Sequence, residues 1–388
     1  MLGNATNAES RHLPEMHAKC GYLHAPFMAA APTHALDWHD AQMSDGLFSE
    51  VAATFAEWER DRDLSGSCLV TRGGETLFEA SWGFADIAAQ MPNVPSTRFG
   101  LASLTKMFTA VVVATLVRDD RLAFETPVVE ILPANLRPRG LAAAVSVHHL
   151  LCHTSGIADY AEEDETSPGY VEDYAALWVD RPSYLVERPA DFLPLFADLP
   201  AYRPPGQSFQ YSNAGYILLG LVIEQLAGTS YRDAVRERVF EPAGMTASGF
   251  FRLDEAVSNV AHGYLPASSA AVPRRTNIYS IPVVGGADGG AMSTTGDIDR
   301  FLRAYADGTL ICDLTEVMLR PHADASAGFF EGYGVHLWPD GRWGHGGGDP
   351  GVVVTAYRWP DDDIHVIVLG NSAGPVGEVR ELLREKAG

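Results

Sequence analysis

Ser103-Leu104-Thr105-Lys106 sets a hydroxyl and an amine three residues apart at the start of an apolar run. On a helix, residues i and i+3 share a face, so these two side chains could meet as nucleophile and base. From Met107 to Val117 most residues are apolar, and the spacing predicts a helix hydrophobic all round, buried in a domain interior. A lysine desolvated at the mouth of such a helix has a lowered pKa and can accept the serine proton. The free N–H groups of the first turn favour negative charge developing nearby. These are parts for acyl transfer, but Ser-x-x-Lys is short and needs context.

Two further stretches could supply that context. Tyr211-Ser212-Asn213 follows the turn signal Pro204-Pro205-Gly206 and precedes an apolar helix. In an extended segment residues i and i+2 project to one side, so a phenol and an amide could face one cavity. The phenol would shuttle protons and the amide would bond Lys106 or substrate. The plainer alternative is an Asn helix cap with a packed Tyr. Trp343-Gly344-His345-Gly346-Gly347-Gly348 lies between predicted strands, where glycines let a substrate backbone approach a sheet edge. The Gly348 N–H could help bind an oxyanion; the alternative is a glycine-rich hairpin turn with an exposed histidine. Gly346, Gly348 and Gly351 also fit a dinucleotide fingerprint, but Pro350 and a Val-rich strand stand where its helix should begin.

The elements that must position these residues are legible as periodicity. Residues 1–43 show no sustained period and read as a flexible extension. Phe48, Val51, Ala52, Phe55 and Trp58 have helical spacing, and Gly66–Val70 with Glu75–Phe84 read as strands joined by Gly73-Gly74. A helix is expected over Asn213–Ala227, ended by Gly228, and a closing helix over Val376–Arg384. Strands are expected at Tyr333–Trp338, Val352–Trp359 and Ile364–Leu369. The run Glu162-Glu163-Asp164-Glu165 reads as a solvated loop. The fold class expected is α/β plus all-α, an antiparallel sheet flanked by helices. Residues 44–125 and 281–388 would build the sheet domain, with a mainly helical domain, 126–280, inserted between them. Within it, Asp159–Leu199 should shape the substrate pocket.

Composition narrows the function classes. The 388 residues carry a formal charge of -22, which argues against a nucleic-acid surface and an anionic membrane as partners. No segment has the apolar length of a membrane span, and no basic region with an apolar run opens the chain, so a soluble, cytoplasmic protein is expected. Cys20, Cys68, Cys152 and Cys312 lack paired spacing and read as reduced thiols.

With the three motifs in this order, the chain resembles the serine β-lactamase and penicillin-binding-protein superfamily, most closely its class C β-lactamase, esterase and D-aminopeptidase branch. Trp82-Gly83-Phe84-Ala85-Asp86, Leu150-Leu151-Cys152-His153-Thr154-Ser155-Gly156, Glu241-Pro242-Ala243-Gly244-Met245 and Gly289-Gly290-Ala291-Met292-Ser293-Thr294 look like that branch too. The resemblance implies that Ser103 is acylated, that Lys106 and Tyr211 transfer protons, and that Asn213 organises the lysine and the substrate amide. It also implies an oxyanion hole from the N–H groups of Ser103 and Gly348, with His345, Gly346 and Gly347 beside the substrate. The sequence departs from the β-lactamases where they carry Lys-Thr-Gly. His345, near its ordinary pKa, would be mostly neutral and offer no permanent cation to a carboxylate. An esterase or D-amino acid amidase or peptidase is therefore expected, needing neither cofactor nor metal and acting on a small-molecule ester or amide. A weak β-lactamase or DD-peptidase, and a non-catalytic ligand-binding relative, are the alternatives.

Rival motifs are present. Gly370-Asn371-Ser372-Ala373-Gly374 matches a nucleophile elbow, but no histidine follows it, as that architecture requires. His148, His149, Cys152 and His153 are dense enough to suggest zinc, without a completing ligand nearby. Asp361-Asp362-Asp363 reads as an acidic hairpin turn rather than a calcium site.

Overall fold

A strand whose side chains are apolar on both faces must find a core on each, and this chain's sheet is built on that requirement. The computed structural model describes residues 49–167, 169–267 and 272–388. In chain order they form α1 (Ser49–Arg62), β1 (Gly66–Arg72), β2 (Glu75–Trp82), α2 (Lys106–Arg118), α3 (Asn213–Ala227) and α4 (Thr295–Ala306). The short β3 (Ala323–Asp324), β4 (Phe330–Glu331) and β5 (His336–Leu337) follow, then β6 (Trp343–Asp349), β7 (Val352–Trp359), β8 (Ile364–Gly370) and α5 (Val376–Ala387). The eight strands make one sheet in the order β2-β1-β8-β7-β6-β5-β4-β3. Every pairing is antiparallel.

Side-chain alternation sorts the sheet between two cores. Cys68 and Val70 of β1, Ile364, Val366 and Val368 of β8, and Tyr357 and Trp359 of β7 pack with Val51 and Phe55 of α1 and Val379 and Leu383 of α5. The intervening Leu69, Ile367, Leu369, Val354 and Ala356 turn to the opposite face, against α2, α3 and α4. In α2 every residue from Lys106 to Leu116 is buried, as the unbroken apolar run requires. Helix α3 is equally apolar and stops at Gly228, whose φ of 72° forms the left-handed cap.

Three expectations need correction, and one lies out of reach. Only His336–Leu337 of the expected strand Tyr333–Trp338 pairs, because Gly334 turns there against Ala110 of α2. The Gly-rich stretch is itself strand β6, in full register with β7, and the hairpin turn falls later, at Pro350-Gly351. The acidic run is solvated only in part: Glu162 is 2 % exposed and accepts a hydrogen bond from Gln210. The N-terminal extension lies outside the described residues. Among the described residues, no helix is long and apolar enough to cross a membrane.

Candidate active site

Ala102–Thr105 forms a single 3-10 turn that runs directly into α2. Ala102 has a φ of 44°, a left-handed conformation that a non-glycine residue adopts only under strain, immediately before the serine. Ser103 is half-buried and Lys106 is fully buried. The Lys106 Nζ lies 2.9 Å from Ser103 Oγ, 2.7 Å from Asn213 Oδ1 and 2.6 Å from the Asp288 carbonyl oxygen. Burial lowers the lysine pKa, and the charges of Asp288, Glu163, Asp159 and Asp349 oppose that shift without cancelling it. A neutral amine has two N–H donors for Asn213 and Asp288, leaving its lone pair to accept the Ser103 proton.

Tyr211 and Asn213 arrive at the N-terminus of α3. Ser212, not Asn213, is the cap: its Oγ accepts from the Gly215 N–H at 3.0 Å. Asn213 is thereby the first helical residue and its amide is free to face Lys106. The buried Asp159 carboxylate fixes it there, accepting from the N–H groups of Asn213 and Ala214 at 2.8 and 2.9 Å. The Tyr211 ring lies with its centroid 4.8 Å from Lys106 Nζ and stacks on His153 at 4.4 Å. Burial and the Glu163 charge push the phenol pKa well above its ordinary value, while a hydrogen bond with Ser103 opposes them.

Strand β6 closes the other side. A Cβ on Gly347 would lie 2.6 Å from the Leu101 carbonyl oxygen and 2.8 Å from the Ser103 nitrogen, so only glycine lets the strand pass this close. The same atom on Gly348 would meet nothing within 4 Å. His345 points away from solvent, 1 % exposed, its Nδ1 donating to the Gly346 carbonyl and its ring 4.1 Å from that of His336. Burial drives its pKa well below the ordinary value, further than the sequence reading supposed.

Ser103, Asn213 and Gly348 line a cavity of about 320 Å³, whereas His345, Gly346 and Gly347 do not. The 159–199 stretch contributes Ala161, Glu163, Val171, Glu172, Tyr174 and Phe192 to its wall. Sequence reasoning missed Asp159, Asp288 and Asp349. The last two carried a signal, each being an acidic residue set among glycines or beside Gly348, where a loop must approach a neighbouring backbone closely.

Comparison with known proteins gives the family of the chain. The family model described as Beta-lactamase matches residues 52–387. The chain belongs to the beta-lactamase family. Among curated proteins of this family it is similar to Penicillin-binding protein 4* of Bacillus subtilis, 30% identical over 79% of this chain and 68% of that protein. It is also similar to Esterase EstB of Burkholderia gladioli, 35% identical over 53% of this chain and 52% of that protein, so about half of each is matched. Among solved structures, a penicillin-binding protein from Bacillus halodurans superposes with a TM-score of 0.79 at 37% identity, covering 86% of this chain and 99% of that one.

Within this family fold the rival motifs have structural duties. Ser372 is 1 % exposed and donates to the Asp63 carbonyl, and Asn371 donates to the carbonyls of Phe84 and His262. The histidines diverge: His148 bonds the Tyr333 hydroxyl, His149 bonds Ser146, and His153 accepts from the Ser212 N–H. Among the described residues no cluster of three His, Cys, Asp or Glu side chains could hold a metal. Asp362 and Asp363 pair with Arg384 and Arg358 at the β7–β8 turn. Cys68, Cys152 and Cys312 are free thiols; Cys20 lies outside the described residues.

Proposed function

We propose that this chain is a serine hydrolase that cleaves small ester or amide substrates through an acyl-enzyme on Ser103. The observation that carries the reading is the 2.9 Å approach of a buried Lys106 amine to Ser103 Oγ, with its other two contacts taken by Asn213 and Asp288. Neutral Lys106 takes the hydroxyl proton as Oγ bonds to the substrate carbonyl carbon. The carbonyl electron pair moves to an oxygen held by the N–H groups of Ser103 and Gly348. Tyr211, kept protonated, relays the proton from Lys106 to the leaving alcohol or amine as that bond breaks. Water then adds to the acyl-enzyme by the same steps in reverse and releases the acid.

An esterase or D-amino acid amidase reading fits better than a β-lactamase or DD-peptidase. The residue standing where the β-lactamases have a cationic lysine is a buried, neutral His345. The names of two relatives, an esterase and a penicillin-binding protein, support the class of chemistry and leave the acyl group to experiment. Mass spectrometry after treatment with a fluorophosphonate should find one adduct, on Ser103, absent in Ser103→Ala. Equal labelling of that variant, or an adduct on Ser372, overturns the assignment.

A further inference from the structure

Lys106 acts as a base only while its lone pair is turned toward Ser103, and that direction is set by where its two N–H donors go. They go to Asn213 Oδ1 at 2.7 Å and to the Asp288 carbonyl oxygen at 2.6 Å. Asn213 is anchored as the first residue of α3. Asp288 stands on weaker ground, because Gly285-Gly286-Ala287-Asp288-Gly289-Gly290 is mostly glycine. Such backbone loses much conformational freedom on folding, so a carbonyl held still here needs anchors.

Three anchors are present. The ends of the loop pinch together: a Cβ on Gly285 would lie 2.2 Å from the Gly290 carbonyl oxygen, and the Gly286 N–H donates to the Gly289 carbonyl at 2.8 Å. Thr109, three residues after Lys106 on the same face of α2, donates to the Ala287 carbonyl at 2.6 Å. With that proton committed, the buried Tyr231 hydroxyl is the donor to Thr109, at 2.8 Å. The last anchor is on Asp288 itself, whose carboxylate accepts from the Tyr160 hydroxyl.

Tyr160 is 4 % exposed, its ring 5.5 Å from Phe192 and 6.2 Å from Phe196 of the helix Pro189–Phe196. Burial and the Asp288 charge push its phenol well above the ordinary value, so it stays protonated and remains a donor near neutral pH. It follows Asp159, which holds the start of α3 and with it Asn213. Two consecutive residues thus reach both acceptors of the lysine amine, one by way of Asn213 and the other by way of Asp288. Tyr160 does not line the Ser103 cavity.

We infer that Tyr160 is a positioning residue for the acylation step: by holding the Asp288 side chain it fixes the carbonyl that takes one N–H of Lys106, and so keeps the lysine lone pair on the Ser103 hydroxyl. This rests on the acyl-enzyme reading and adds to it a residue outside its three motifs. Without the hydroxyl the loop is free to shift and the amine to rotate, and a misplacement of about 1 Å in such a base costs about 10²-fold in rate.

Phosphonylation of Ser103 by a fluorophosphonate tests this. Fluoride leaves without needing a proton, so the first-order inactivation constant reads proton removal by Lys106 apart from reagent binding and from Tyr211. Tyr160→Phe keeps the ring against Phe192 and Phe196 and removes only the hydroxyl. Its inactivation constant should fall by about 10–100-fold, with the reagent concentration for half-maximal rate unchanged. Asp288→Ala removes the same tether from the other end and should lose as much, and the double variant no more, since the two act as one unit. Asp288→Asn, whose amide oxygen still accepts from Tyr160, should retain most of the parent rate. A parental inactivation constant in Tyr160→Phe, a loss confined to reagent binding, or losses that multiply in the double variant overturn the assignment. If Tyr160→Phe does not fold, the two Asp288 variants decide, and equal losses in both overturn it. Each of these outcomes leaves labelling of Ser103 in the parent, and so the acyl-enzyme reading, intact; absence of that labelling defeats the reading itself.

Discussion

Two buried polar groups meet at Tyr211, and they are built on opposite terms. In front, each group is partnered: Lys106 with Ser103, Asn213 and Asp288, and Asp159 with the first N–H groups of α3. Behind the ring, partners are missing. His153 Nε2, His336 Nε2, His345 Nε2 and both carboxylate oxygens of Glu331 are buried with no hydrogen-bond partner among the described residues. The Glu331 and His336 side chains stand 3.7 Å apart, too far for a hydrogen bond, and burial drives both toward their neutral forms. The front group thus carries dipoles aimed at a reacting atom, while the rear group surrounds Lys106 with side chains that carry no charge. Both keep the lysine a base. An ionised Glu331 would raise its pKa, and a carboxylic acid in the same place does not.

Breaking the front group should have the largest effect. Lys106→Met removes the proton acceptor and leaves Asn213 Oδ1 without its donor, and kcat/KM for an ester substrate should fall by about 10³–10⁴-fold with the fold retained by circular dichroism. A rate within tenfold of the parent would mean that Lys106 is not the base. A smaller effect separates two neighbouring glycines of β6, Gly347 and Gly348. Gly347→Ala forces its methyl into the Leu101 carbonyl and the Ser103 nitrogen, displacing strand from nucleophile, and should lower kcat by about 10²-fold. Gly348→Ala adds a methyl in open space, and thermal melts should place its stability within about 0.5 kcal/mol of the parent. Equal losses in the two variants would show that the close packing of β6 on the serine is not what matters.

The front group was more legible in sequence than the rear, for a physical reason. Ser103 and Lys106 lie within one helical turn, and Tyr211 and Asn213 within one extended step, so local periodicity places each pair on one face. The central strands and α3 were equally readable, because long apolar runs with clear caps leave little choice. What tied the pairs together was out of range. Asp159 meets Asn213 across 54 residues and Asp288 meets Lys106 across 182, contacts that no local pattern carries. Glu331 and His336 sit in strands of two residues each, too short to show alternation, and their burial follows from the strands beside them. His345 was noticed for its place in a motif, yet its strand orientation turns the ring inward, against His336.

The rear group offers the finest test of the comparison, through the pH dependence of stability. The folded protein holds the Glu331 proton above the ordinary carboxyl value of 4.5, where the unfolded chain releases it, so stability falls as pH rises beyond that value. His336 has the opposite sense. Folding lowers it from 6.5 to about 3, the unfolded chain binds the proton first, and stability falls as pH drops through that window. Glu331→Leu should therefore flatten the loss on the alkaline side, and His336→Leu the loss on the acid side, in urea melts taken across the range. Replacing an unpartnered buried carboxyl by an apolar side chain should also stabilise, by about 1–3 kcal/mol, with kcat little changed. If Glu331→Leu instead destabilises at every pH and lowers kcat as Gly347→Ala does, the carboxyl is held by bound water in solution, and the rear group is as fully partnered as the front.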